Sequence, residues 1–482
     1  MGNSVKTICK ACSGIYTLDE NATSPDVFCK FNCSTFDPGS SKPSKPTNAQ
    51  MHNGIEWPAI CLDESVTRFF TIGDWGGVCG WNQDNVCLPD RKPNMCICGP
   101  DCADKGKPCP MPNKNRGAAN HAIDGIAQRL VSERMLARQK QLIQDKSPAR
   151  FIVNVGDNFY PGGLDYHCGL EDKSNTSPQF QQIWKAMYRE ELQDLEWWSV
   201  LGNHDYGGVC YIKGWDQQIF FTWNDPKWVM PGQYWRRTVQ YANFKADFFF
   251  IDGNIYDTTT GTDEGHNLCS HTSNPGAHCE LNVYPGDGAN CAATGPHSQP
   301  ECQAWFKQLW KDNFNWLKAG LHASDAEWQF VVSHYPASYN IDEASAPVTW
   351  SKFLDPMGVD LYISGHTHEQ TVHYMEQGPA DFGKTAWVIT GGGGGITTMD
   401  YPHTDGDDDQ YGFMEVALSL EKLNITAYSH GGVNNRTVVR STTSVDPVPR
   451  ASTDRLLELG ILTKEDLQLS ATTGMPSFMA VV

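Results

Sequence analysis

An α/β fold with parallel strands is predicted for this 482-residue chain by three observations. Six short apolar runs each stop at a cluster of residues able to bind metal or phosphate, five of them containing glycine, and read as buried strands. Segments of helical period lie between several of them, as βαβ units require. The stops also carry Asp, Asn, Tyr and His, so functional groups would gather along one sheet edge.

The strand runs come in a fixed order. RFFTI leads into Gly73-Asp74-Trp75-Gly76, RFIVNV into Gly156-Asp157-Asn158-Phe159-Tyr160, and WWSVL into Gly202-Asn203-His204-Asp205. QFVV leads into Ser333-His334-Tyr335-Pro336, DLYIS into Gly365-His366-Thr367-His368, and AWVIT into five glycines, 391–395. Between the first two, residues 116–145 place Ile123, Ile126 and Leu130, then Leu142 and Ile143, at helical spacing among charged residues. Segments 178–195 and 301–322 read as two further helices. GFMEVALSL and LNITAYSH alternate and read as closing strands within 411–440.

Three regions lack such patterns. Residues 1–65 are rich in Cys, Ser, Pro and Asn and read as a disulfide-pinned cap or arm, with a saposin-like module as the alternative. Two Cys-rich insertions, 78–115 and 254–302, interrupt a main domain at 66–440. Residues 441–482 read as a peripheral tail with one short amphipathic helix, STDRLLELG.

Composition narrows the class. A formal charge of −19 disfavours nucleic acid and anionic membrane but leaves open a phosphate substrate at a metal site. Seventeen cysteines indicate an oxidising compartment. Cys96-x-Cys98-x3-Cys102 has irregular spacing and no accompanying histidine, which favours disulfides over zinc. Sequons at Asn21, Asn32, Asn175, Asn424 and Asn435 agree with a secreted or luminal setting, whether extracellular, vacuolar or lysosomal. The opening MGNSVKTICKAC has no apolar leader, so that setting implies one removed or replaced. No run reaches the length of a transmembrane helix.

Taken singly, an Asp after glycine is an ordinary turn residue and two histidines two apart are ordinary surface groups. Together, Asp74, Asp157, Tyr160, Asn203, His334, His366 and His368 form a ligand set sufficient for two metals. The order GDWGG, GDNFY, GNHD, His-Tyr-Pro, Gly-His-x-His resembles the calcineurin-like metallophosphoesterases, and within them the purple acid phosphatases of the small tartrate-resistant type.

That resemblance implies a four-layer α/β/β/α sandwich and acid hydrolysis of phosphate monoesters by a metal-bound hydroxide. Asp74, Tyr160 and His368 would hold Fe(III), Asn203, His334 and His366 would hold a divalent Fe, Zn or Mn, and Asp157 would bridge them. The metals would stand about 3.5–4 Å apart. Hard anionic oxygens suit the trivalent ion and neutral ligands the divalent one. His204 would contact phosphate or leaving group, and Asp205 would orient its imidazole. Phosphomonoesters and inorganic phosphate would be the small-molecule partners. Phosphodiester cleavage is the competing reading, against which Tyr160 argues; a non-catalytic binding role is a third, against which the intact ligand set argues.

One departure stands out. The small tartrate-resistant enzymes carry a second active-site histidine nine residues after the His-Tyr-Pro histidine, where this chain has Glu343. If Glu343 faces the site it would act as a carboxyl general acid and restrict activity to low pH; if the loop differs in shape it is solvated.

Overall fold

The structure is a computed structural model describing residues 16–18, 29–31, 33–76, 127–160, 163–164, 179–206, 214–258, 268–269, 295, 299–339, 349–376, 381–395 and 402–467. In chain order the strands are β1 Tyr16–Leu18, β2 Cys29–Phe31, β3 Ile55–Leu62, β4 Val66–Ile72, β5 Ala149–Asn154 and β6 Glu196–Ser199. Next come β7 Trp228–Val229, β8 Trp235–Tyr241, β9 Lys245–Phe250, β10 Trp328–Val332 and β11 Leu361–Ser364. The last are β12 Gln370–His373, β13 Ala386–Thr390, β14 Gly412–Ser419, β15 Leu423–Ser429 and β16 Val439–Val445. The α-helices are α1 Ala127–Gln144, α2 Trp215–Phe221, α3 Gln299–Ala323, α4 Trp350–Met357 and α5 Thr453–Glu458.

Two seven-stranded mixed sheets carry the fold, in the orders β12-β13-β11-β10-β9-β8-β3 and β16-β15-β14-β4-β5-β6-β7, beside a small β1-β2 pair. At the centre of the first, β9, β10, β11 and β13 are parallel. In the second, β4, β5, β6 and β7 are parallel. The antiparallel strands β12 and β14 to β16 are added by short connections at the sides.

Alternation along each strand explains the layering. Phe69, Phe151 and Trp198 from one sheet meet Phe248, Phe330 and Ile363 from the other in a core between the sheets. Phe151 stacks on Trp198 at 3.8 Å and meets Phe248 edge to face at 5.5 Å, so the two sheets interlock through rings. The intervening residues, Phe70, Ile152 and Trp197 on one sheet and Phe249, Val331 and Tyr362 on the other, belong to a second core shared with the helices. Helix α1 lies along β14 and β15, its Arg138 bonding Glu415 at 2.6 Å and covering the Tyr428 ring. Helix α3 lies against β9 so closely that a Cβ on Gly320 would stand 2.6 Å from Phe249. The layering is therefore helix, sheet, sheet, helix, as expected.

The edges differ from the sequence reading. Residues 55–62, assigned to the N-terminal arm, are the edge strand β3, parallel to β8, with Trp57 in the inter-sheet core. Pro58 and a register shift between Trp57 and Ile60 disguise it, since proline is tolerated only where no ladder N–H is needed. Residues 439–445, read partly as tail, are the edge strand β16, whose Val445 is fully buried. The tail then runs back over the other sheet: Val448 N–H donates to Asp360 at 2.7 Å and Ala451 N–H to the Pro356 carbonyl at 3.0 Å. The short helix appears as α5, capped by Ser452. Segment 178–195 is not a regular helix but a π-helical turn at Phe180–Lys185 followed by a 3-10 turn at Glu190–Leu192.

Among the described residues, two disulfides join Cys33 to Cys61 and Cys269 to Cys302. Most of both insertions, and Glu343, lie outside the described residues. No helix among the described residues is long and apolar enough to cross a membrane.

Candidate metal centre

The parallel strands of both sheets deliver their carboxyl ends to one place. Asp74 follows β4, Asp157 and Tyr160 follow β5, and Asn203 and His204 follow β6. His334 follows β10, while His366 and His368 follow β11 from the other sheet. A strand that ends must turn sharply to keep its side chain at the edge. Asp74, Asp157, His366 and His368 accordingly have φ of 57, 52, 72 and 43°, a region that costs an L-residue energy and is held by its surroundings.

Glycines make room for those turns. A Cβ on Gly202 would stand 2.1 Å from Asp157 Oδ1, and one on Gly365 2.3 Å from Asp74 Oδ2. The glycine run after β13 approaches the same groups, a Cβ on Gly391 falling 2.9 Å from Asp74 Oδ2 and one on Gly395 2.2 Å from the Tyr160 ring.

All seven candidate ligands come together, in two groups that meet at Asp157. In the first, the Tyr160 hydroxyl stands 2.8 Å from Asp157 Oδ2, 3.1 Å from Asp74 Oδ1 and 3.1 Å from His368 Nε2. Ligand atoms of Asp74, Asp157 and His368 all lie within 4.8 Å of one another. In the second, His334 Nε2 stands 3.0 Å from Asn203 Oδ1, 3.3 Å from His366 Nδ1 and 3.4 Å from Asp157 Oδ2. Asp74, Asp157, Tyr160, Asn203 and His334 are buried; His366 and His368 are half-buried and form the more open side.

The electrostatics of this cluster fit cations. His334 Nδ1 faces the Val155 carbonyl at 2.9 Å and donates to it. Its Nε2 therefore turns toward Asn203 Oδ1 and Asp157 Oδ2, both acceptors, and a proton or a metal must stand among them. Burial works against a charged His334, but Asp157 and Asp74 outweigh it and raise its pKa. Burial would likewise raise Asp157, yet His334, His204, the Tyr160 hydroxyl and His366 bring it down to about 2. Burial, Asp157 and Asp74 hold Tyr160 well above its usual range, so a phenolate here needs positive charge that the protein's own side chains do not supply. Among the described residues, the buried His368 Nδ1 and Asn203 Nδ2 have no hydrogen-bond partner. Donor types, burial and spacing thus suit a pair of metal ions.

Behind the candidate ligands lies a polar network that the sequence reading missed. Trp75 Nε1 donates to Asn154 at 2.8 Å; Asn154 donates to Asn158 at 2.5 Å and to Ser199 at 2.9 Å. Asn158 donates to Asp205, Gln218 and the Val200 carbonyl at 3.0, 3.0 and 3.1 Å. Asp205 accepts from Gly202 N–H, Asn158 N–H and Gln218 as well. It thus ties together the loops after β5 and β6, a role beyond the one expected toward the His204 imidazole. Burial and the nearby Asp157 push Asp205 up to about 7. The clue in the sequence was Asn158 inside GDNFY, a polar residue without a place in the ligand set.

His204 is buried, its ring 4.4 Å from that of Tyr160, and its backbone N–H donates to Asp157 Oδ1 at 2.9 Å. Asp408 is buried and accepts from the N–H groups of His403 and Gln410, a turn-forming role.

Comparison with known proteins agrees with this geometry. The sequence profile described as calcineurin-like phosphoesterase matches residues 68–370. The chain is 25% identical to purple acid phosphatase 7 of Arabidopsis thaliana, over 67% of this chain and 86% of that protein. It is 22% identical to tartrate-resistant acid phosphatase type 5 of Rattus norvegicus, over 76% of this chain and 88% of that protein. Among solved structures, GAP50, the anchor in the inner membrane complex of Plasmodium, aligns with TM-score 0.45 and 17% identity over 83% of this chain and 96% of that one.

Proposed function

Because the chain belongs to the calcineurin-like phosphoesterases, we propose that it hydrolyses phosphate monoesters at a dinuclear metal centre under acidic conditions. The observation that carries this reading is the placement of Asn203 Oδ1 and Asp157 Oδ2 at 3.0 and 3.4 Å from His334 Nε2, acceptors that a metal ion shared among them would satisfy together. Relatives named as acid phosphatases support the substrate class.

Asp74, Tyr160 and His368 would hold Fe(III); Asn203, His334 and His366 would hold a divalent Fe, Zn or Mn; and Asp157 would span the pair. Two such ions would activate a water and neutralise charge on the phosphoryl group. The protein's part is to fix these groups and to exclude bulk water from the buried side of the cluster. Asp157 is held for a bridging position by the His204 N–H on one oxygen and by Tyr160 and His334 around the other. His204, beside the Tyr160 ring, would bind a phosphate oxygen and pass a proton to the departing alcohol. The two disulfides support an oxidising, secreted or luminal compartment.

The test is hydrolysis of p-nitrophenyl phosphate against bis(p-nitrophenyl) phosphate, with metal content measured on the same sample. About two metals per chain and a strong preference for the monoester are expected. Metal-loaded protein that prefers the diester, or cleaves neither, overturns the reading.

A further inference from the structure

We propose that Tyr339, buttressed by Tyr256 and Tyr335, is a specificity-determining residue that favours phosphate monoesters whose organic group carries an aromatic ring. The inference rests on the monoesterase reading above and extends it to the leaving-group side of the substrate.

Access is the first premise. Asp74, Asp157, Tyr160, Asn203, His204 and His334 are buried, whereas His366 and His368 are half-exposed. Among the described residues, solvent therefore reaches the cluster from the His366–His368 side. A monoester whose phosphate sits at the ligands must leave its organic group on that side.

An aromatic group stands there. The half-exposed Tyr339 ring lies 5.5 Å from the His366 ring in an edge-to-face contact. Two further edge-to-face contacts fix it, with Tyr256 at 5.6 Å and Tyr335 at 5.8 Å. Tyr335 in turn packs on His366 at 4.5 Å, and the Tyr256 hydroxyl donates to the Tyr339 carbonyl at 3.2 Å. A tyrosine held by three rings loses little entropy when a fourth ring packs on it.

Benzyl phosphate and propyl phosphate isolate the effect, because their alcohols leave with nearly equal acidity and differ chiefly in the ring. For the metal-loaded full chain, kcat/KM for the benzyl ester should exceed that for the propyl ester by roughly tenfold, about the worth of one aromatic pair. In Tyr339→Ala the ratio should fall to about one, while Tyr339→Phe should keep it. A wild-type ratio near one, or a ratio that survives Tyr339→Ala, overturns the proposal. If neither ester is hydrolysed, the monoesterase reading fails separately. Calorimetric binding of benzylphosphonate against propylphosphonate then decides the aromatic preference by the same ratios in the same variants.

Discussion

At the scale of single residues, the candidate centre is held in costly conformations. Asp74, Asp157, His366 and His368 all have positive φ, and their neighbouring glycines leave no room for a methyl group. Asp157 belongs to both groups of ligands, through Tyr160 at 2.8 Å and His334 at 3.4 Å. Its replacement should therefore cost more than that of a residue in one group. In Asp157→Asn, metal analysis should find both metals lost and activity reduced at least a thousandfold, roughly 4 kcal/mol of transition-state stabilisation. His334→Ala should lose chiefly the divalent ion. Equal metal retention in the two variants would remove Asp157 from the bridging position. These residues were all legible in the sequence, because each lies just after an apolar run. The strain in their backbones was not legible, since φ is set by what surrounds the turn.

At the scale of elements, the loops after β4, β5 and β6 are tied together because Trp75, Asn154, Asn158, Asp205 and Gln218 bond across them. Asn158→Leu removes the side-chain amide that serves Val200, Asp205 and Gln218 as donor and Asn154 as acceptor. Each buried group left unpaired costs about 1–3 kcal/mol, so thermal unfolding should shift down by many degrees and metal should be retained poorly. A wild-type melting temperature in this variant would show that the network is not what holds the loops. The second disulfide acts on another element. Cys269 and Cys302 are buried and close a span of 33 residues at the start of α3. Cys302→Ser should destabilise the protein by about 3–4 kcal/mol, the loop-closure entropy for a span of that order. Denaturant midpoints with and without reductant check this; a midpoint insensitive to both would exclude a stabilising cross-link.

At the scale of the whole molecule, the tail joins the two sheets. It leaves sheet edge β16 and is fastened over the other sheet by Asp360, which accepts from the N–H groups of Val448 and Gln329, each at 2.7 Å. Burial pushes Asp360 up to about 7 against those donors and Arg450. A carboxyl with a raised pKa holds in the folded state a proton that the unfolded chain releases near its ordinary value of 3.8. Its contribution to stability is thus full below about pH 4 and is lost as pH rises to about 7. Denaturant unfolding from pH 4 to 8 should show stability declining over that window, with a shallower decline in Asp360→Asn. Identical slopes in the two proteins would dissociate Asp360 from the acid stability.

The central ligand-bearing strands and the groups at their ends were readable from the chain alone, because buried parallel strands are continuous apolar runs and every candidate ligand lies within a few residues of one. GDNFY and GNHD are local in the chain and can be read locally. Only the tertiary structure decided that β3 and β16 are sheet edges, since an edge strand is half solvated and tolerates Pro58 or a run of Ser and Thr without an apolar signal. Asp205 follows the same logic: its neighbour in sequence is His204, but its hydrogen-bond partners are Asn158 and Gln218, 47 and 13 residues away. Tyr339 meets His366 from a different strand end, and a contact between two loops is fixed by how the sheet brings its strands together, which no local pattern records.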